Sequence, residues 1–270
     1  MRMKRLQLGI VLETTGQPIR SALASIAQLG KFRVSGVQVD AVGELNPEQL
    51  TQTGRRELKT LFRTFDLEIA ALNCPLRRGL DNTDQLQPRL EHLQKVMQLA
   101  VDLGPRLVTM PLPKLADPIS PSATTLRESL LNLGAFADRI GVQIALEVGL
   151  DPADKVLEYL QSYDLGCFGI CFDPVNFLLN GFDPISSLTT LSRRISYAQA
   201  RDAKTATVSG LGKEVAVGSG SIDWMLLFAT LSSLEYSGYV VVDREDGTSR
   251  FADASQGAKF LSRFLAPLDS

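Results

Sequence analysis

A chain of 270 residues with 44% hydrophobic content can bury a large core, and its length is typical of one α/β barrel, for which about 250 residues is usual. A formal charge of −2, with both signs interspersed, gives no electrostatic case for nucleic acid. No apolar run approaches the roughly 18 residues of a membrane span, no signal-peptide core follows the basic start at 1–6, and Cys74, Cys167 and Cys171 form no C-x-x-C pair, as expected of a cytoplasmic protein.

Taken in order, 6–12 reads as a buried strand and 19–29 as a helix, with apolar residues at helical spacing (Ile19, Leu23, Ile26, Leu29) and Gly30 as its stop. The next strand, 36–39, ends at Asp40. Asn46 before Pro47 predicts a cap and a helix running to about Phe65. A third strand, 67–72, runs into Asn73, Cys74 and Pro75 and a polar loop, and a helix over 88–103 closes at Gly104. The fourth strand, 106–110, enters a Pro-rich loop, 111–121, and 126–140 reads as an amphipathic helix.

The stretch 141–149, G-V-Q-I-A-L-E-V-G, is a short apolar run bounded by glycines. It predicts a buried parallel strand with Glu147 at its exit. Ala153–Gln161 is a helix, 168–172 a sixth strand with Asp173 at its end, and 184–192 holds a short helix. The seventh strand, 195–198, leads to Gln199, Arg201 and Asp202, then to a long Gly-containing loop, 203–220. A helix over 223–234, an eighth strand over 239–242 ending at Asp243, and a closing helix over 251–264 complete the pattern. Strands alternating with helices and no linker predict one domain over 1–270, a single (β/α)8 TIM barrel.

In parallel α/β architectures ligands collect at the carboxyl ends of strands. Glu147, Asp173, Gln199 and Asp243 all fall there. If each points into the barrel, alternation sends Ala145, Cys171, Tyr197 and Val241 inward too. Leu146, Phe172, Ala198 and Val242 then face the helices, and all are apolar, so the parity is self-consistent. Three carboxylates at one mouth repel one another unless a cation or shared protons offset them. A divalent ion would do so, and so would Arg201, Lys204 or Arg244 by direct pairing. His92, the only histidine, lies among charged residues on a helix and reads as a surface residue, and Trp224 reads as a packing residue beside a helix cap.

Several segments resemble the xylose isomerase-like barrel family of sugar-phosphate isomerases and epimerases. They are the helix end at 99–104, A-L-E-V (145–148), C-F-D-P-V-N (171–176), Q-A-R-D (199–202), V-G-S-G-S-I-D-W (217–224) and Y-S-G-Y-V-V-V-D (236–243). In that family a Glu, an Asp, a His and a Glu at the ends of strands five to eight hold a divalent metal, and the two Glu move a proton on the carbon next to a carbonyl. The resemblance therefore implies Glu147, Asp173, Gln199 and Asp243 as the metal set, with Glu147 and Asp243 as the catalytic pair. This chain departs from the pattern in three places. Gln199 stands for the His ligand, Asp243 for the last Glu, and Asn176 for a His that usually contacts substrate. An all-oxygen set of this kind favours magnesium or manganese over zinc.

The function implied is a metal-assisted isomerase or epimerase of a small sugar or sugar phosphate. Asn176 and Arg201 would be substrate contacts, with Arg201 either meeting an anionic group or pairing with Asp173 or Asp243. The alternative is a catalytically weakened member that binds a carbohydrate-like ligand or a partner without turnover. A DNA-repair endonuclease of the same fold needs several zinc-binding histidines and is disfavoured, as is xylose isomerase itself. The expected partner is a small carbohydrate-like molecule, with no nucleic acid and no membrane; a homo-oligomer is left open.

Overall fold

The computed structural model describes residues 6–162, 166–205 and 212–265. In chain order the strands are β1 (Gln7–Val11), β2 (Val34–Asp40), β3 (Glu68–Asn73), β4 (Leu107–Pro111), β5 (Gln143–Glu147), β6 (Phe168–Phe172), β7 (Ile195–Ala200), β8 (Asp202–Lys204), β9 (Lys213–Val215) and β10 (Tyr239–Val242). All but β8 and β9 pair in parallel and close into a barrel in the order β1-β10-β7-β6-β5-β4-β3-β2. The helices are α1 (Ile19–Ala27), α2 (Gln52–Thr64), α3 (Leu86–Leu103), α4 (Pro121–Ile140), α5 (Ala153–Gln161), α6 (Pro174–Leu179), α7 (Pro184–Leu191), α8 (Trp224–Ser233) and α9 (Arg250–Leu261). The (β/α)8 barrel expected from the sequence is the fold observed.

The two strand faces build two separate cores. Ala145, Cys171, Tyr197 and Val241 pack together inside the barrel with Val11, Ala70 and Ala71. Leu146, Phe172, Ala198 and Val242 belong to the larger core between barrel and helices. The inward and outward sets follow the parity anticipated for β5, β6, β7 and β10. Small residues are required where the barrel is narrow: a Cβ on Gly36 would lie 2.3 Å from the Tyr239 ring.

Three local expectations need correction. Asn46 caps a turn and not a helix: its Oδ1 accepts from Glu48 N at 3.0 Å, and its carbonyl accepts from Gln49 and Leu50. The helix starts later, at Gln52, where Thr51 Oγ1 accepts from Gly54 N. The loop foreseen over 203–220 contains an antiparallel ladder, with Asp202 opposite Val215 and Lys204 opposite Lys213; residues 206–211 of that loop lie outside the described residues. Strand β7 runs to Ala200, so Gln199 lies within the ladder, opposite Val241. A short helix, α6, also starts directly at the end of β6, where Pro174 takes the first turn and Asp173 is the cap. Among the described residues no helix is long and apolar enough to cross a membrane.

Candidate active site

At the carboxyl ends of the strands lies a cavity of about 310 Å³, and its lining includes Glu147, Asn176, Gln199, Arg201 and Asp243. All but Asn176 lie at or just beyond a strand end. Glu147 is the last residue of β5, in register with Pro111 and Cys171. Asp243 extends β10 by one rung, its N–H donating to Ala200 O at 3.2 Å. Asn176 sits in α6 against the turn that follows β5. Gly149 adopts φ +124° there, and a Cβ on it would come 2.6 Å from Asn176 Cβ. A larger cleft of about 710 Å³ opens at the opposite end of the barrel, lined by strand starts such as Gln7, Glu68 and Gln143. Catalytic groups of this fold gather at the other end, and the smaller cavity is the candidate.

Asp173 behaves differently from the other three strand-end residues. It is fully buried, and both carboxylate oxygens are engaged. Oδ1 caps α6 by accepting from Val175 N at 2.8 Å, and Oδ2 accepts from Arg201 Nη1 at 2.9 Å. Arg201 in turn donates through Nη2 to Glu245 Oε2 at 2.8 Å and lies 3.6 Å from Glu214 Oε2. Glu214 belongs to β9, so the unforeseen hairpin carries this carboxylate to the rim. There it also accepts the backbone N–H groups of Glu245 and Asp246. Of the three cations named from the sequence, Arg201 is the one paired with the strand-end set. Lys204 is exposed, and Arg244 pairs with Glu214 and Asp253.

The half of the mouth built by β1 to β4 was not singled out from the sequence. Asp40 Oδ1 accepts from Asn73 Nδ2 at 2.8 Å, and Asn73 Oδ1 accepts from Thr109 Oγ1 at 2.9 Å. Glu13 Oε1 accepts from Asp40 N at 2.9 Å. Glu13 Oε2 and Gln38 Oε1 are buried with no hydrogen-bond partner, and both residues line the cavity. The signal was present: Gln38 and Asp40 share one parity at the end of β2, as Tyr197 and Gln199 do near the end of β7.

Burial sets the electrostatics. It pushes the Glu147 carboxyl up to about 7, with the charges of Asp173 and Glu245 adding to the push and Arg201 opposing it. Burial raises Asp243 to about 7 as well, against the pull of Arg201. Glu13 reaches about 7 through burial and the neighbouring Asp40. The thiols offer no nucleophile: Cys74 is pushed up to about 12 by burial, and Cys171 is raised well above the ordinary range.

The strand-end residues do not fit the divalent cation that the sequence suggested. Both Asp173 oxygens already accept a hydrogen bond, one of them from a guanidinium that lies against the carboxylates, and an amide replaces the imidazole at Gln199. Among the described residues no three His, Cys, Asp or Glu side chains are grouped so that they could hold a metal ion.

The model of the xylose isomerase-like TIM barrel family matches residues 23–264. The chain belongs to this family. An inosose dehydratase from Clostridium beijerinckii is 23% identical over 137 residues, 44% of this chain and 46% of that protein. The chain thus matches about half the length of this curated relative. A xylose isomerase domain protein from Planctomyces limnophilus superposes with a TM-score of 0.82 at 21% identity, over 96% of this chain and 97% of the other. An L-ribulose 3-epimerase superposes at 0.76 with 16% identity, over 96% and 94%. A family protein from Mycobacterium smegmatis, in complex with magnesium, gives 0.74 at 13% identity, over 96% of both chains. At these identities the superpositions speak for the fold. The relatives span sugar isomerases, epimerases and dehydratases.

Proposed function

We propose that this mouth moves a proton on the carbon next to a carbonyl in a small polyhydroxy compound, the step shared by isomerisation, epimerisation and dehydration. The observation that carries the reading is Glu147 and Asp243 lining one cavity, both with carboxyls held near 7. A group that titrates near the working pH is available as acid and as base. Glu147 on β5 takes the proton, and Asp243, three strands away around the barrel, returns one or protonates the departing oxygen. Asn176 and Gln199 offer amide hydrogen bonds to substrate hydroxyls. A cavity of about 310 Å³ suits a molecule of sugar size.

The lining favours a neutral substrate over a phosphorylated one. Glu13, Asp40, Glu147, Asp243 and Glu245 face Arg201 and Arg250. Arg201 is held by Asp173 and Glu245, and Arg250 donates to Glu13 O at 3.2 Å. A phosphate would meet an excess of carboxylates, with Arg250 as the lining guanidinium not paired to one among the described residues, whereas sugar hydroxyls would supply donors to Glu13 Oε2 and Gln38 Oε1.

The test is proton exchange followed by NMR in D2O, over a panel of free sugars, inososes, sugar acids and their phosphates. Deuterium is expected at the carbon next to the carbonyl of a neutral member. Tight binding of such a compound without any exchange would favour the reading of a binding protein.

A further inference from the structure

We infer that Arg201 is the resident cation of this mouth, occupying by its guanidinium the electrostatic place that a divalent ion would take. A buried carboxylate requires a counter-charge or hydrogen bonds to remain in the core. Asp173 has both: the start of α6 on one oxygen and Arg201 on the other. Each oxygen keeps a second lone pair, but an ion bound through Oδ2 would lie beside the Arg201 guanidinium, and one bound through Oδ1 beside the N–H that caps α6.

Arg201 is itself held from three sides, by Asp173, Glu245 and Glu214. Glu214 is fixed by the Glu245 and Asp246 N–H groups and by Arg244 at 3.5 Å. The guanidinium is therefore clamped by residues from the β6–α6 junction, β9 and the segment after β10. Only 11% of its side chain is exposed, and its Nε is buried without a partner. Such a network leaves little freedom for the side chain to swing aside and admit an ion.

The chemistry of the remaining positions points the same way. Gln199 supplies one neutral oxygen in place of an imidazole, and Asp243 Oδ1 already accepts from Arg244 N at 2.7 Å. A cation entering beside Arg201 would meet like charge within the same carboxylate cluster. The guanidinium offsets the carboxylates as a metal would, but it is part of the chain and cannot be removed by a chelator.

The inference is independent of whether the protein turns over a sugar, because its first readout is metal binding. The intact chain, stripped of metal, is titrated with manganese and followed by the electron paramagnetic resonance of the free ion. No binding is expected at manganese concentrations up to about 1 mM, and no rise in melting temperature with manganese or magnesium. The double variant Arg201→Met with Gln199→His frees Asp173 and restores the imidazole, and it is expected to bind manganese at least about tenfold more tightly than the natural chain. Adding Asp173→Asn to it should abolish that gain.

Saturable binding by the natural chain in the micromolar range overturns the inference. So does a folded double variant, checked by circular dichroism, that gains nothing. If that variant fails to fold, Arg201→Lys with Gln199→His is titrated in its place, since the shorter single-point charge releases part of the clamp. A gain in its manganese affinity supports the inference, and none overturns it. Chelator-resistant proton exchange combined with manganese binding would still count against it, so this outcome is separable from failure of the proposed activity.

Discussion

Trp224 donates its indole N–H to Asp202 Oδ2 at 3.0 Å, from the first residue of α8 to the first residue of β8. The same carboxylate accepts backbone N–H groups from Gly218, Gly220 and Ile222, and from its own neighbour Ala203. The segment V-G-S-G-S-I-D-W is thus wound around one buried side chain. Gly220 is needed for the approach, because a Cβ there would lie 2.0 Å from Asp202 Oδ1. Arg201 and Asp202 point opposite ways, one into the mouth and the other into the loop that carries α8.

Asp202→Ala would leave three distant backbone N–H groups and the indole N–H without their shared acceptor, those of Ile222 and Trp224 in buried residues. The expected loss is about 3–5 kcal/mol, as for removing one partner of a buried charged network. Trp224→Phe, which leaves the backbone donors satisfied, should cost about 1–3 kcal/mol. Urea denaturation followed by circular dichroism measures both. Equal losses in the two variants would show that the carboxylate does not organise the loop.

Stability should fall as pH rises from about 4 to about 8. Glu13, Glu147 and Asp243 have folded-state values near 7, above those of an unfolded chain. Between the two values the folded protein holds protons that the unfolded chain has released, so the stabilisation is complete below the unfolded value and is lost through the folded one. The melting temperature at pH 5 should exceed that at pH 8. Glu147→Gln should flatten the slope by roughly one proton's share. A melting temperature that climbs over this range contradicts the assignment.

Gly149→Ala tests the link between β5 and α6. The position has φ +124°, and an added Cβ would clash with Asn176 Cβ at 2.6 Å. A cost of about 1–3 kcal/mol is expected from backbone strain, with weaker ligand binding because Asn176 is pushed from the cavity wall. Calorimetric titration with the neutral sugar found in the exchange screen would show a raised Kd. An unchanged Kd would mean that Asn176 does not contact the ligand.

The positions of Glu147, Asp173, Gln199 and Asp243 were legible because strand period and strand-end position are both local signals. Their environments were not. Whether Asp173 meets a metal or Arg201 depends on α6 and on β9, which brings Glu214 back across from β8 to clamp the guanidinium. Three-residue strands carry too few alternations to be read. The Glu13, Gln38 and Asp40 wall escaped for another reason. These residues lie on or just after β1 and β2, and no single short motif joins them; only barrel closure places β1 beside β10. Asn46 before Pro47 gave a cap signal that a turn could use equally well.

In the function proposed, Glu147 and Asp243 move a proton on a carbon next to a carbonyl. The most direct measurement is the rate of deuterium uptake at that carbon in D2O, compared among the natural chain, Glu147→Gln and Asp243→Asn, with ligand binding measured in parallel. Uptake should fall by at least about a hundredfold in Glu147→Gln, the scale of losing a general base, while Kd for the neutral sugar changes little. The natural chain's rate should rise through pH 7 as Glu147 ionises. Undiminished uptake in Glu147→Gln, or a rate indifferent to pH around 7, would contradict the account.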